Sequence, residues 1–241
     1  MLDKIAGQVR RCIDDYNMIE QGEEIALGVS GGKDSLALLC AMASLQKYHP
    51  KQIKLHAVTL DMGIDGMDFT SITELCKELD LPHTITRSDI ARIVFDERKE
   101  TNPCSLCAKM RRAALCNMVT ELGIKKIALA HHHDDAIETF LLSLIYEGRL
   151  HCFQPVTYLN RTDVTQIRPM LYVNEKAIIN FVEKQNLTIV HNLCPMNGVS
   201  KREEIKTLLK TLSLEHKDIK TKVFGAIQRL PLTGWEQSVE S

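Results

Sequence analysis

No stretch of this 241-residue chain is long and apolar enough to cross a bilayer. The N-terminal MLDKIAGQVRR is charged and amphipathic and lacks the apolar core of a secretion signal. These absences argue against a membrane-spanning helix and make a cytoplasmic protein the expectation. Charge of one sign is also missing. Thirty Lys and Arg stand against 31 Asp and Glu, for a formal net charge of −1, and the pI is about 6.8. That excludes the strongly basic balance of a dedicated nucleic-acid binder, although a basic face can coexist with an acidic one. Internal repeats and low-complexity linkers are absent too, which leaves one large α/β domain, or a domain with a small appendage.

Apolar residues make up 44% of the chain and charged residues 25%, enough for a packed core. There are eight cysteines. In a cytoplasmic chain they point to metal binding, catalysis or plain burial rather than disulfides. Cys12, Cys40, Cys76 and Cys116 fall in helical patterns and suit apolar packing. Cys152 is ambiguous.

Hydrophobic periodicity predicts a helix over 3–20, with Ile5, Val9, Cys12, Ile13 and Tyr16 as its apolar stripe. Strand 24–29 and helix 35–47 follow. Next come strand 53–63, helix 69–81, a strand-like 83–87, helix 107–123, strand 125–130 and helix 134–148. Residues 165–171 read as a late strand or turn, 174–186 as a helix and 188–192 as a last short strand. The tail from Ser200 is helical and charge-rich, and 236–241 are expected to fray. Strands alternating with helices of ordinary length predict an α/β fold with a parallel, Rossmann-like sheet and helices on both faces. The expected division is an N-terminal helix over 1–22, a main domain over 23–199, and a helical tail over 200–241 packed on the same domain.

Ser30-Gly31-Gly32-Lys33-Asp34-Ser35 joins the first strand to its helix. It has neither the G-x-x-x-x-G-K-[ST] nor the G-x-G-x-x-G spacing. The physics is shared, however. A glycine-rich turn at a helix N-terminus turns backbone N–H groups toward an anion beside the positive end of the helix dipole. Ser30 and Ser35 add hydroxyls and Lys33 adds charge. Asp34 sits beside an anion only if it holds a cation or caps the helix.

Cys104 and Cys107 form a C-x-x-C pair at a loop leading into a helix, and Cys194 lies far downstream in a polar, turn-rich stretch. Burial explains loop cysteines poorly. Three thiolates can hold a [4Fe–4S] cluster and leave one iron without a protein ligand. From spacing alone, a zinc site completed by His191 and a thiol–disulfide pair stay open beside it. A third signal is Ala130-His131-His132-His133-Asp134-Asp135, delivered by a short strand to the start of a helix. Asp135 and Glu138 fit a capping box. Three histidines adjacent in sequence do not all turn to one ion, so this run is expected to line an active site.

S-G-G-x-D-S after the first strand resembles the pyrophosphate loop of the N-type ATP pyrophosphatases, with their adenine nucleotide alpha hydrolase-like fold. "DDYNMI", S-G-G-K-D-S, "CSLCAKMRR", "ALAHHHDDAIET", "IRPML" and "NLC" together resemble the tRNA 2-thiocytidine synthetase family over most of the chain. Ala130 and His133 depart from the family's usual Gly and Arg, and His191 replaces the first cysteine of a second pair.

The resemblance implies a PP-loop domain over 23–199 that carries an iron–sulfur site at Cys104, Cys107 and Cys194. It implies an ATP- and Mg²⁺-dependent sulfurtransferase. The enzyme would adenylate the C2 carbonyl oxygen of cytidine 32 in the tRNA anticodon loop. Sulfur delivered through the cluster would replace that oxygen, and AMP and pyrophosphate would be released. Ser30, Gly31, Gly32, Lys33 and Ser35 would hold the ATP phosphates, and Asp34 would place Mg²⁺. Leu60, Asp61 and Met62 would flank adenine. His131, His132 and Asp135 would take polar roles in the site, and Arg168 would steady phosphate charge. The partners implied are tRNA and a sulfur donor such as a cysteine desulfurase, with room for a homodimer.

Lys109, Arg111 and Arg112 are favoured over Lys201, Arg202, Lys206 and Lys210 as the RNA contact, since Glu203 and Glu204 dilute the second group. Three other readings stand beside this one. They are a lysidine-type ligase without a cluster, a sulfurtransferase acting on another base or small carbonyl, and a zinc-stabilised nucleotide-binding regulator.

Overall fold

The computed structural model describes residues 1–98, 103–191, 193–194, 201–230 and 232–235. A six-stranded sheet runs through the centre in the order β3-β2-β1-β4-β6-β5. The strands are β1 (Glu24–Gly28), β2 (Lys54–Asp61), β3 (His83–Arg87), β4 (Lys126–Ala128), β5 (Val156–Leu159) and β6 (Val164–Ile167). All neighbours pair in parallel except the β5–β6 hairpin, which is antiparallel. The expected parallel α/β sheet is therefore present, with one antiparallel edge.

The helices are α1 (Leu2–Asp15), α2 (Lys33–Gln46), α3 (Thr70–Glu78), α4 (Pro103–Glu121), α5 (His133–Glu147), α6 (Glu175–Lys184), α7 (Lys201–Glu215) and α8 (Ile219–Arg229). A π-helical segment, Arg92–Arg98, precedes α4. β1 shows why both faces are covered. Ile25 and Leu27 point into the larger core with α1, α2 and α6, while Ala26 points into a smaller core with Cys116, Met118 and Val119 of α4. A strand buried on both faces is what a doubly wound sheet requires. α1 buries Ile5, Val9, Cys12 and Ile13 as its stripe predicts. Among the described residues, no helix is long and apolar enough to cross a membrane.

Three expectations shift. Residues 188–191 are not a strand; the Val190 amide instead donates to the Gly31 carbonyl at 3.0 Å. The 165–171 stretch splits into the end of β6 and a turn, and its partner β5 had no sequence assignment. α4 starts at Pro103, so Cys104 and Cys107 lie in its first two turns rather than in a preceding loop. The expected boundary between 199 and 200 and the expected fraying at 236–241 lie outside the described residues.

Candidate active site

The sheet order makes the site. β1 leads to α2 and then to β2 on one side, while β4 lies on β1's other side. The chain therefore diverges beyond the carboxyl ends of β1 and β4, and such a switch point leaves a crevice. Into it project the Ser30–Ser35 turn from β1 and the His131–Asp135 run from β4.

The two glycines of the turn do different things. Gly31 has φ +83°, and a Cβ there would sit 2.4 Å from Val190 Cγ2. It needs both the left-handed backbone and the missing side chain. At Gly32 a Cβ would meet nothing closer than Ser30 Oγ at 3.7 Å, so the lack of a side chain there keeps the cavity side open. Ser35 Oγ ties the turn together. It accepts from the Ser30 amide at 3.2 Å and donates to the Gly32 carbonyl at 2.9 Å. Asp34 lies inside α2 and does not cap it; Gly32 is the N-cap residue. Lys33 Nζ lies 2.8 Å from Asp34 Oδ1 and 3.0 Å from Glu175 Oε1. Burial works against that ammonium, but the two carboxylates outweigh it and raise the pKa.

The opposite wall is a buried acid–base array. His132 Nε2 lies 3.4 Å from Asp34 Oδ1 and 3.4 Å from Asp135 Oδ2, bridging the two walls. The capping pair differs from the expected Asp135–Glu138. His132 occupies the N-cap, and Asp135 Oδ2 accepts its backbone N–H at 3.0 Å. Burial raises the Asp135 pKa, but His132, His131 and Arg202 prevail and it is lowered. Asp134 accepts the Glu175 amide at 2.8 Å and meets Lys220 Nζ at 2.5 Å. His133, Lys220 and that amide overcome its burial and hold its carboxyl well below the usual range. His131 is kept neutral, its pKa pushed down to about 4 by burial and then by Arg168.

α7 contributes what the sequence did not disclose. Arg202 Nη1 lies 2.8 Å from Asp135 Oδ1 and 3.5 Å from Glu138 Oε2, and Nη2 donates to Thr139 Oγ1 at 3.2 Å. A side chain grouped with the tail's basic run therefore faces inward. Glu138 is 2% exposed, and burial pushes its pKa up to about 7 against the pull of Lys206 and Arg202.

A cavity of about 750 Å³ lies between these walls. Of the expected site residues, Ser30, Gly32, Asp34, Ser35, Leu60, Met62, His131, Asp135 and Arg168 line it. Gly31, Lys33 and His132 are not among the lining residues, though His132 Nε2 lies 3.4 Å from both Asp34 Oδ1 and Asp135 Oδ2, which are. Asp61 turns back on its own loop, accepting the Gly63 amide at 2.8 Å. Val190, Phe69 and Gln166 also line the cavity, without having been legible as site residues. Lys109, Arg111 and Arg112 line the side formed by α4.

The cysteines divide as their patterns suggest. Cys12, Cys40, Cys76, Cys116 and Cys152 are buried, Cys104 is exposed, and Cys107 and Cys194 are partly covered. Cys107 Sγ lies 3.9 Å from Met62 Sδ, at the cavity's edge beyond β2. Burial raises the Cys107 pKa, Arg111 lowers it, and Cys194 and Cys104 both act on it as neighbouring charges. Cys104 and Cys194 thus both lie near Cys107. Among the described residues, no three His, Cys, Asp or Glu side chains are gathered closely enough for one metal ion. Three soft thiol donors, one exposed and two partly covered, fit an iron–sulfur cluster, which takes its thiolates on separate irons.

The PP-loop domain family matches residues 1–212 of the chain. The chain is 34% identical to the tRNA-cytidine(32) 2-sulfurtransferase of Geobacter sulfurreducens, over 93% of its own length and 88% of that protein. It is 35% identical to the Bordetella pertussis protein of the same name, over 94% of its length and 72% of that protein. Its fold is similar to that of the U34-tRNA thiolase NcsA from Methanococcus maripaludis, solved with its [4Fe-4S] cluster. The TM-score is 0.79 at 24% identity, over 95% of this chain and 78% of that one. With a divided sheet, a glycine turn at its switch point and homology over nearly all its length, the chain belongs to the PP-loop family and, within it, to the tRNA-cytidine(32) 2-sulfurtransferases.

Proposed function

We propose that the chain is an ATP-dependent transferase that replaces the C2 oxygen of cytidine 32 in tRNA by sulfur. The observation that carries this reading is one cavity with the glycine turn on one side and, at its β2 edge, Cys107 3.9 Å from the lining Met62, with Cys104 and Cys194 near Cys107. Activation and sulfur delivery would then act on the same bound base.

Ser30, Ser35 and the open backbone at Gly32 seat the ATP phosphates. Lys33 adds charge from behind the turn. Asp34 and Asp135, facing each other across His132, present carboxylate oxygens to a divalent cation such as Mg²⁺. Leu60 and Met62, at the end of β2, flank adenine. The base carbonyl oxygen attacks the α-phosphate and pyrophosphate leaves; sulfur then takes the place of that oxygen and AMP leaves. Cys104, Cys107 and Cys194 would hold the cluster, which when bound supplies sulfur at an iron without a protein ligand. The target base must leave its stack to enter, which costs least in a loop.

The test is anaerobic purification with iron, sulfide and zinc quantified per chain, followed by nucleoside mass spectrometry of tRNA incubated with ATP, Mg²⁺ and inorganic sulfide as the sulfur source. Wild type should hold about four irons and four sulfides and form 2-thiocytidine. Cys104→Ala, Cys107→Ala and Cys194→Ala should each lose both. Zinc without sulfide, or AMP production without thiolation, would overturn the reading.

A further inference from the structure

Among the described residues, Arg168 is a buried cation in ion-pair contact with no carboxylate. It follows β6 and is 7% exposed. Nη1 donates to the Gln154 carbonyl at 2.5 Å and to Thr157 Oγ1 at 3.0 Å, both neutral acceptors. Nε has no hydrogen-bond partner. The guanidinium lies over the Phe153 ring, with Cζ 5.0 Å from the centroid. None of these partners carries a negative charge, and a buried charge left uncompensated is costly.

A second guanidinium aggravates the imbalance. Arg112, on α4, lines the same cavity. Burial lowers the Arg168 pKa to about 10; Cys152 works the other way, and Arg112 adds to the lowering. Arg168 is still a cation at neutral pH. Two like charges face one cavity, and among the described residues no carboxylate is in ion-pair contact with Arg168, an arrangement suited to an anion that comes from outside. Guanidinium forks suit phosphate oxygens in particular.

Which phosphate follows from position. The ATP phosphates have their own seat at the β1 turn. Arg168 stands two strands away, beyond β4, and Arg112 lies on the helix that begins with Cys104 and Cys107. These are the walls toward which the nucleotide to be thiolated must come, and it arrives with a phosphodiester on each side. The geometry points to a second anion subsite, formed by Arg112 and Arg168, that grips the RNA phosphate next to the target nucleotide while the glycine turn holds ATP. The inference deepens the proposed function and rests on it for the choice of RNA.

The test uses the full chain, a fluorescent tRNA anticodon stem-loop and a non-hydrolysable ATP analogue, titrated at several salt concentrations. Arg112→Gln, on an exposed residue, should weaken stem-loop binding on the order of tenfold at about 0.15 M salt. It should also reduce the salt slope by roughly one. Affinity for the ATP analogue should not change. Replacing the phosphate beside the target nucleotide with an uncharged methylphosphonate should cost as much, and should add nothing further in Arg112→Gln. Arg168→Lys keeps the charge without the fork and should give a smaller loss, a check that remains available if Arg168→Gln fails to fold.

Additive losses from Arg112→Gln and the methylphosphonate would overturn the subsite. So would variants that weaken the ATP analogue but not the RNA, since the pair would then be seating nucleotide phosphate. A wild-type protein that binds the analogue but no stem-loop would instead overturn the thiolation reading, and the RNA assignment with it.

Discussion

The carbonyl of Gly31 accepts the amide of Val190 at 3.0 Å, and the Val190 side chain fills the space that a Cβ on Gly31 would occupy. The glycine turn is thus closed from behind by the segment that runs on toward Cys194.

Gly31→Ala and Gly32→Ala should therefore behave differently. At Gly31 a methyl group meets a positive φ and Val190 together, which should cost roughly 2–4 kcal/mol of stability. At Gly32 the backbone is extended, with φ −74° and ψ 158°, and there is room for a Cβ. Gly32→Ala should melt like wild type yet bind the ATP analogue at least tenfold more weakly, because the methyl crowds the phosphate. Thermal melts and analogue titrations check both. Equal melting of the two variants would show that Val190 yields.

Arg202 should prove structural as well as polar. Arg202→Ala removes the cation that meets Asp135 and Glu138, whose side chains are 19% and 3% exposed. Breaking a fully buried pair costs about 3–5 kcal/mol. Arg202 is about a third exposed, so a loss of roughly 1–3 kcal/mol is expected here. AMP formation should fall with it, because Asp135 loses its fixed orientation. Arg202→Lys should recover part of the stability but not the hydrogen bond to Thr139 Oγ1.

How far the sequence disclosed this site can be judged from particular residues. Ser30, Gly32, Asp34 and Ser35 stood out in the sequence because an anion-seating turn needs adjacent residues, and they do line the cavity. The parallel sheet was legible from alternating periods. Arg202 was not, because a basic residue in a charge run looks the same whether it faces water or a buried carboxylate. Val190 was misassigned to a strand because a β-branched apolar run fits a strand as well as it fits a loop packed on a glycine. The β5 strand was missed because it is short, and only its pairing with β6 makes it a strand.

Glu138 should make stability fall as pH rises. Its folded pKa, near 7, lies above its unfolded value of about 4.3. The stabilisation is full below the unfolded value and is lost as pH climbs through the folded one. Urea melts between pH 4.5 and 8 should show wild type losing on the order of 1–3 kcal/mol relative to Glu138→Gln. Asp134 works in the opposite direction. Its folded pKa is depressed, so its contribution is present above the unfolded value of about 3.9 and fades as pH falls further. A Glu138→Gln profile parallel to wild type across this range would count against the raised acid.

Thiol reactivity should separate the cysteines into two classes without any assay of catalysis. The thiolate is the nucleophile, so both exposure and pKa set the rate of alkylation. Burial pushes Cys40 and Cys76 up to about 11 and Cys152 up to about 12, and raises Cys12 and Cys116 as well. None of the five should alkylate in the folded apo-protein at pH 7.5. Cys104, exposed on the first turn of α4, should react first, and the partly covered Cys107 and Cys194 should follow. Loading with iron and sulfide should then protect those three and leave the silence of the other five unchanged. Peptide mass spectrometry after brief iodoacetamide treatment gives the order directly. If a loaded protein still alkylated at Cys194 as fast as the apo form, that cysteine would not be a ligand, and the site would close with two thiolates and some other group.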